Sequence, residues 1–171
     1  PPLNLASINP YYAKAFEQMK LQIDAKVAES KVKAGKRIRE VPSVSEKKLF
    51  DAIMARYKGK VVMVDLWATW CGPCRGAIAS FEPRKNKFKD KDVVFVYITN
   101  ESSPESKWLE MVAGIEGEHY RLNRKQWDYI CDYFGVDGIP SYVIVDRDGN
   151  ARLRNDLRGS GMLEQELSGM L

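Results

Sequence analysis

The sequence predicts an α/β domain: a mixed central sheet flanked by helices, preceded by an N-terminal helical extension. Three observations carry this. Two near-continuous apolar, β-branched runs, VVMVDLW at 61–67 and DVVFVYI at 92–98, have the composition of strands covered on both faces. Segments with helical spacing lie between and after them. Near the end, Arg147-Asp148-Gly149-Asn150 separates SYVIVD at 141–146 from ARLR at 151–154, a strong hairpin signal that makes one strand pair antiparallel. A chain of 171 residues with 44% hydrophobic composition suffices for one core with an appendage.

The extension is residues 1–35, and residues 36–171 form the domain. Residues 9–34 read as one long helix, with Asn9 as cap, Pro10 in the first helical position and Gly35 at the end. Tyr12, Phe16, Met19, Ile23 and Val27 make an apolar stripe along it, which is expected to pack on the body of the domain, the alternative being a partner or a preceding domain. The basic stretch KRIREVPSV that follows reads as a short strand kept at an edge by Pro42. Ser45 has the chemistry of an N-cap for a helix over 46–58, with Leu49, Ile53 and Tyr57 facing inward. After the 61–67 strand a helix starts at a cysteine motif and runs toward Lys89, with Pro83 as a kink or break. Helices are expected over 104–115 and 124–134, and from Gly161 onward. The expected order is strand, helix, strand, helix, strand, helices, hairpin, helix.

The bulk properties exclude several classes. A formal net charge of +4 with mixed charges is a solvated surface and does not point to nucleic acid. No apolar run approaches the ~18 residues of a transmembrane segment. The chain opens on Pro1-Pro2 and reads as a trimmed product, from which any signal peptide or anchor is already lost.

The chemistry is concentrated in WATWCGPCRG, residues 67–76. A structural zinc site needs four ligands, whereas this chain has one cysteine pair, Cys131 and a single histidine, His119. Nothing else in the chain calls for a static staple. Exchange is favoured because the motif lies where a buried strand ends and a helix begins. Backbone N–H groups and the helix dipole there stabilise a thiolate on Cys71. Cys74, one turn on, lies on the same face and can attack a mixed disulfide formed at Cys71. Gly72 lets a substrate chain approach, and Pro73 suits the first turn.

Two distant positions bear on this pair. Asp65 interrupts an apolar strand, and alternation puts it on one face with Trp67 and Thr69, toward the helix of Cys74. A buried carboxylate without a cation has a raised pKa and can trade a proton with a thiol; the plainer reading is a partly solvated strand residue. Ile139-Pro140 precedes the SYVIVD strand, where a proline taken alone is a turn residue. Cys131 on its apolar helix face reads as a buried spectator, His119 as exposed, and Trp108 and Trp127 as core anchors.

Together these residues resemble the thioredoxin family. VDLWATWCGPCR matches its signature, with Asp65 at the position of the family's buried acid, and GIPSYVIV resembles its cis-proline segment. The resemblance covers residues 36–171 and implies a thioredoxin fold, a cis Pro140 against the cysteine pair, and an Ile139 backbone offered to an extended substrate. GKVVMVDLWATWCGPCRG is most similar to the TlpA/ResA-type members, as is the extra chain between Thr99 and Pro140. Ala77 and Ala79 stand where many of those members carry an acid and a proline.

The resemblance implies a thiol–disulfide oxidoreductase. Cys71 would attack client disulfides, Cys74 would resolve the intermediate, and Asp65 would assist. Trp70, Gly72, Pro73, Ile139 and Pro140 would form the substrate-binding surface. It implies no metal and no cofactor beyond the reversible disulfide. The expected partners are disulfide-bearing client proteins and a thiol-reducing electron donor, in an extracytoplasmic, periplasmic setting with any membrane anchor trimmed away. A thioredoxin-fold module that binds a metal or a partner without disulfide turnover is the alternative.

Overall fold

The computed structural model describes residues 9–158 and 161–171. Residues 1–8 of the extension lie outside them.

Among the described residues five strands form one sheet: β1 (Val61–Leu66), β2 (Val93–Asn100), β3 (Glu118–Leu122), β4 (Ser141–Val145) and β5 (Ala151–Leu153), in the order β3-β2-β1-β4-β5. Strands β1, β2 and β3 are parallel, and β4 runs antiparallel to both β1 and β5. The mixed sheet and the hairpin are as the sequence predicts. The strand the sequence reading missed is β3. Its charged residues Glu118 and Arg121 break any apolar run, yet Tyr120 and Leu122 are buried on one side and His119 on the other. Gly117 leads into it at φ +145°, so close to the backbone of Phe95 that a Cβ would lie 2.7 Å from its carbonyl oxygen.

Alternation along β1 divides the core in two. Val61, Met63 and Trp67 face α3 (Gly72–Phe81), α4 (Glu105–Val112) and α6 (Met162–Gly169). Val62, Val64 and Leu66 face α2 (Glu46–Met54) and α5 (Arg124–Phe134). Asp65 shares the parity of Met63 and Trp67, so it lies on the α3 side, as its spacing predicts.

Several elements differ from expectation. The helix after the cysteine motif ends at Phe81 and tightens into a 3₁₀ segment, Glu82–Phe88, where Pro83 removes a backbone donor. The helix expected over 46–58 is α2 followed by a 3₁₀ turn, Ala55–Tyr57, and Ser45 sits at its N-cap without a side-chain hydrogen bond. The stretch after Gly35 makes a single parallel bridge, Ile38 to His119, in place of a strand. Trp108 is buried as expected, Trp127 only partly.

The long helix α1 (Pro10–Arg37) is capped by the Asn9 side chain as predicted, but it passes Gly35 by two residues. Its last turn is anchored: Ala34 is fully buried, and Arg37 Nη1 donates to the carbonyls of Val112 and Ala113 at the end of α4, at 3.1 and 2.8 Å. The stripe does not pack on the body. Tyr12, Phe16, Met19, Ile23 and Val27 are 48–64% exposed, because a 28-residue helix of about 42 Å touches the domain only at its base. No helix among the described residues is long and apolar enough to cross a membrane.

Candidate active site

Cys71 is the N-cap of α3. Its sulfur accepts a hydrogen bond from the Cys74 backbone N–H at 3.2 Å, and the two sulfurs are joined at 2.05 Å. Gly72 and Pro73 form the exposed first turn. The loop before it is held by side chains the sequence reading passed over. Ser103 Oγ accepts from Thr69 N–H at 3.0 Å and bonds Thr99 Oγ1 at 2.7 Å. Trp70, 63% exposed, donates its indole N–H to Ser102 Oγ at 2.9 Å. The aromatic plate beside the disulfide is thus fixed while its face stays open.

The Ile139–Pro140 bond is cis. The Ile139 carbonyl oxygen lies 3.8 Å from Cys71 Sγ. Residues 69 positions apart in sequence, Cys71 and Pro140, therefore meet at one end of the sheet, with Trp70, Gly72, Pro73 and Ile139 around them.

Asp65 is 2% exposed, and its Oδ1 has no hydrogen-bond partner among the described residues. Burial pushes its carboxyl up to about 7, opposed by the charge of Lys85. It pairs in register with Tyr97 on β2 and Tyr142 on β4. Lys85 was not singled out in the sequence, though a signal exists: Ile78, Phe81, Lys85 and Phe88 recur at spacings of three, four and three, which puts Lys85 on the buried stripe. Its Nζ donates to the Glu82 carboxylate and to the Glu116 carbonyl, both at 2.6 Å, and lies 4.6 Å from the Tyr97 ring centre.

His119 is a correction. It is fully buried, stacked on Tyr97 with ring centres 5.0 Å apart, and Nε2 lies 2.9 Å from the Ile115 carbonyl. That contact makes Nε2 the protonated nitrogen and leaves Nδ1 bare, without a partner among the described residues. Burial pushes its pKa down to about 4. The sequence points to exposure because no local pattern marks β3, and a strand there turns the side chain inward. Cys131 is half-buried and unpaired, less enclosed than expected, and burial pushes its thiol up to about 11. Among the described residues, no group of three or more His, Cys, Asp or Glu side chains is placed to hold a metal.

The thioredoxin-like family model matches residues 59–151. The chain is 39% identical over 92 residues to the thioredoxin-like protein YneN of Bacillus subtilis, a match covering 54% of each chain. It is 24% identical over 92 residues to the thiol-disulfide oxidoreductase ResA of Bacillus thuringiensis, covering 54% of this chain and 52% of ResA. It therefore spans about half the length of these two curated relatives. A solved structure of a candidate thiol-disulfide oxidoreductase from Bacteroides vulgatus superposes with a TM-score of 0.53 at 30% identity, covering 68% of this chain and 78% of the other. These likenesses bear out the resemblance read from the cysteine and proline motifs. Because the family match takes in more than half of the sequence and carries both the cysteine pair and the Ile139–Pro140 bond within it, the chain belongs to the thioredoxin-like family.

Proposed function

We propose that this chain is a thiol–disulfide oxidoreductase that reduces or exchanges disulfides in client proteins. The observation that carries the reading is the Cys71–Cys74 bond at the start of α3, beside the Ile139 carbonyl. In the reduced protein, the Cys71 thiolate attacks one sulfur of a client disulfide and expels the other as a thiolate. Cys74 then gives its proton to the Asp65 carboxylate and attacks Cys71 Sγ. The client leaves reduced, and the protein is left with the disulfide seen here. A thiol donor restores the pair by returning two electrons and two protons.

Asp65 suits its part because a carboxyl held near neutral pH can both accept and release a proton there. Trp70, Gly72, Pro73, Ile139 and Pro140 form the docking surface, with the Ile139 main chain as the edge along which an extended segment lies. The chemistry asks for no metal and no cofactor. Resemblance to TlpA/ResA-type proteins supports an extracytoplasmic setting.

The test is trapping. Cys74→Ser should accumulate clients as DTT-sensitive adducts on Cys71, because attack proceeds and resolution cannot. Cys71→Ser should accumulate none. A folded Cys74→Ser protein that forms no adducts in its native compartment, and none with insulin in vitro, would sink the reading.

A further inference from the structure

Arg158 plays no part in the exchange steps above. It follows a 3₁₀ turn, Asn155–Leu157, just beyond β5. Its guanidinium reaches back onto the loop that carries Pro140. There Nε donates to the Pro140 carbonyl, while Nη2 donates to the Gly138 carbonyl at 2.9 Å and to Ser141 Oγ at 2.7 Å. Asp137 completes the setting, with Oδ1 3.5 Å from Nη2. Ser141 Oγ in turn donates to the Gly138 carbonyl at 2.5 Å.

The two carbonyls Arg158 grips flank Ile139, whose own carbonyl is the one beside Cys71 Sγ. A guanidinium suits this task. Its donors are fixed in a planar fork, so one side chain sets two carbonyls relative to each other, which a lysine point charge cannot do. The side chain is 35% exposed, so these charge-assisted bonds are only partly open to water. Arg158 also lines, with Pro73, Pro140, Tyr142 and Leu163, a groove of about 540 Å³ beside the disulfide. Its grip is therefore made at the edge of the surface a client would meet.

We propose that Arg158 is a positioning residue for disulfide exchange, holding the backbone of Gly138 and Pro140 so that Ile139 presents its main-chain edge to a client seated over Cys71. This rests on the oxidoreductase reading. It separates two kinds of substrate. A protein disulfide needs the Ile139 edge, whereas a small aromatic disulfide without a peptide backbone needs only the sulfur.

The experiment measures wild type, Arg158→Met and Arg158→Lys against insulin and against the small disulfide DTNB, with the reduction potential set against glutathione. For Arg158→Met, kcat/KM toward insulin should fall about tenfold, chiefly through KM, because three charge-assisted bonds to the loop are lost. DTNB reduction should stay within about twofold of wild type, since the cysteines are untouched. Arg158→Lys should recover only part of the insulin rate, because it can hold one carbonyl and not two. The potential should be unchanged in both variants. An equal loss toward both substrates would overturn the proposal, as would insulin kinetics unchanged in either variant. If Arg158→Met does not fold, the lysine variant decides alone: a wild-type KM for insulin refutes the role. Wild-type protein inactive toward both substrates would instead defeat the oxidoreductase reading, and this proposal with it.

Discussion

Asp65 and His119 lie on the same side of one sheet, two strands apart, and both are buried without a full set of partners. Burial does the same thing to each, favouring the neutral form, but with opposite outcomes. It lifts the carboxyl to about 7 and drops the imidazole to about 4. One group is left titrating near neutrality on the side of the sheet that faces the cysteine helix. The other is silent there, packed on Tyr97 with its N–H spent on a backbone carbonyl. A buried titratable group is therefore not a functional one by burial alone; its resulting pKa and what it faces decide.

Linkage makes the contrast measurable. Asp65 has a folded pKa above its unfolded value, so its contribution is intact below about pH 4 and is lost as pH rises toward 7. His119 has a folded pKa below its unfolded value, so its contribution is intact above about 6.5 and is lost as pH falls toward 4. Across pH 4–6.5 the two slopes, each about 1.4 kcal/mol per pH unit, oppose one another.

Asp65→Asn should have the largest effect. Resolution of a mixed disulfide should slow about tenfold near pH 7, with the defect shrinking as rising pH deprotonates Cys74 unaided. The variant should be more stable than wild type at pH 8 by about 2 kcal/mol, the ionisation cost removed less the cost of an unpaired amide. Its stability should now rise with pH between 4 and 6.5, where the His119 slope stands alone. Urea titrations at several pH values read this directly, and a stability difference from wild type that does not vary over that range would break the comparison.

His119→Gln should do the converse. It keeps a donor for the Ile115 carbonyl but cannot titrate, so stability should fall as pH rises from 4 to 6.5, while insulin reduction at pH 7 stays within about twofold. Loss of most turnover would mean that His119 communicates with the sulfurs after all.

Cys131→Ser sharpens the point with a third shielded group. Burial holds its thiol at about 11 and it is not part of the disulfide, so turnover should be unchanged and stability lower by about 1 kcal/mol or less. A folded variant that loses turnover would bring Cys131 into the redox cycle. The smallest effect belongs to α1. Deleting residues 1–29 spares Ala34 and Arg37, so the melting temperature should move by no more than about 2 °C, and the two opposed slopes should survive. A large drop would mean that the exposed stripe is covered in solution.

Legibility in the sequence followed the range of the interactions. The cysteine motif and Asp65 were readable because each announces itself locally, in a spacing and in a charge within an apolar strand; Ile139-Pro140 was readable only through the family resemblance, since a proline before a strand is by itself a turn residue. Lys85 was half readable, since its stripe is periodic but the charged run EPRKNKF hides it. Arg158 was not readable, because its partners lie 17 to 21 residues away and no local pattern marks the contact. Strand β3 escaped because an edge strand need not be apolar throughout, and His119 was misplaced with it. The α1 stripe shows a different limit: periodicity states that a face is apolar, not that anything covers it.

The enclosure of Asp65 and Lys85 has an electrical consequence. With Asp65 protonated, the Lys85–Glu82 pair leaves that pocket of the core with no net charge; with Asp65 ionised, it carries one negative charge. In the reading above, each client resolved switches the interior between these states, out of reach of the ionic atmosphere. Surface charges feel added salt across a Debye length of about 8 Å at physiological strength, whereas buried ones are screened far less. Salt should therefore alter how often a charged client arrives far more than how fast a captured one is released.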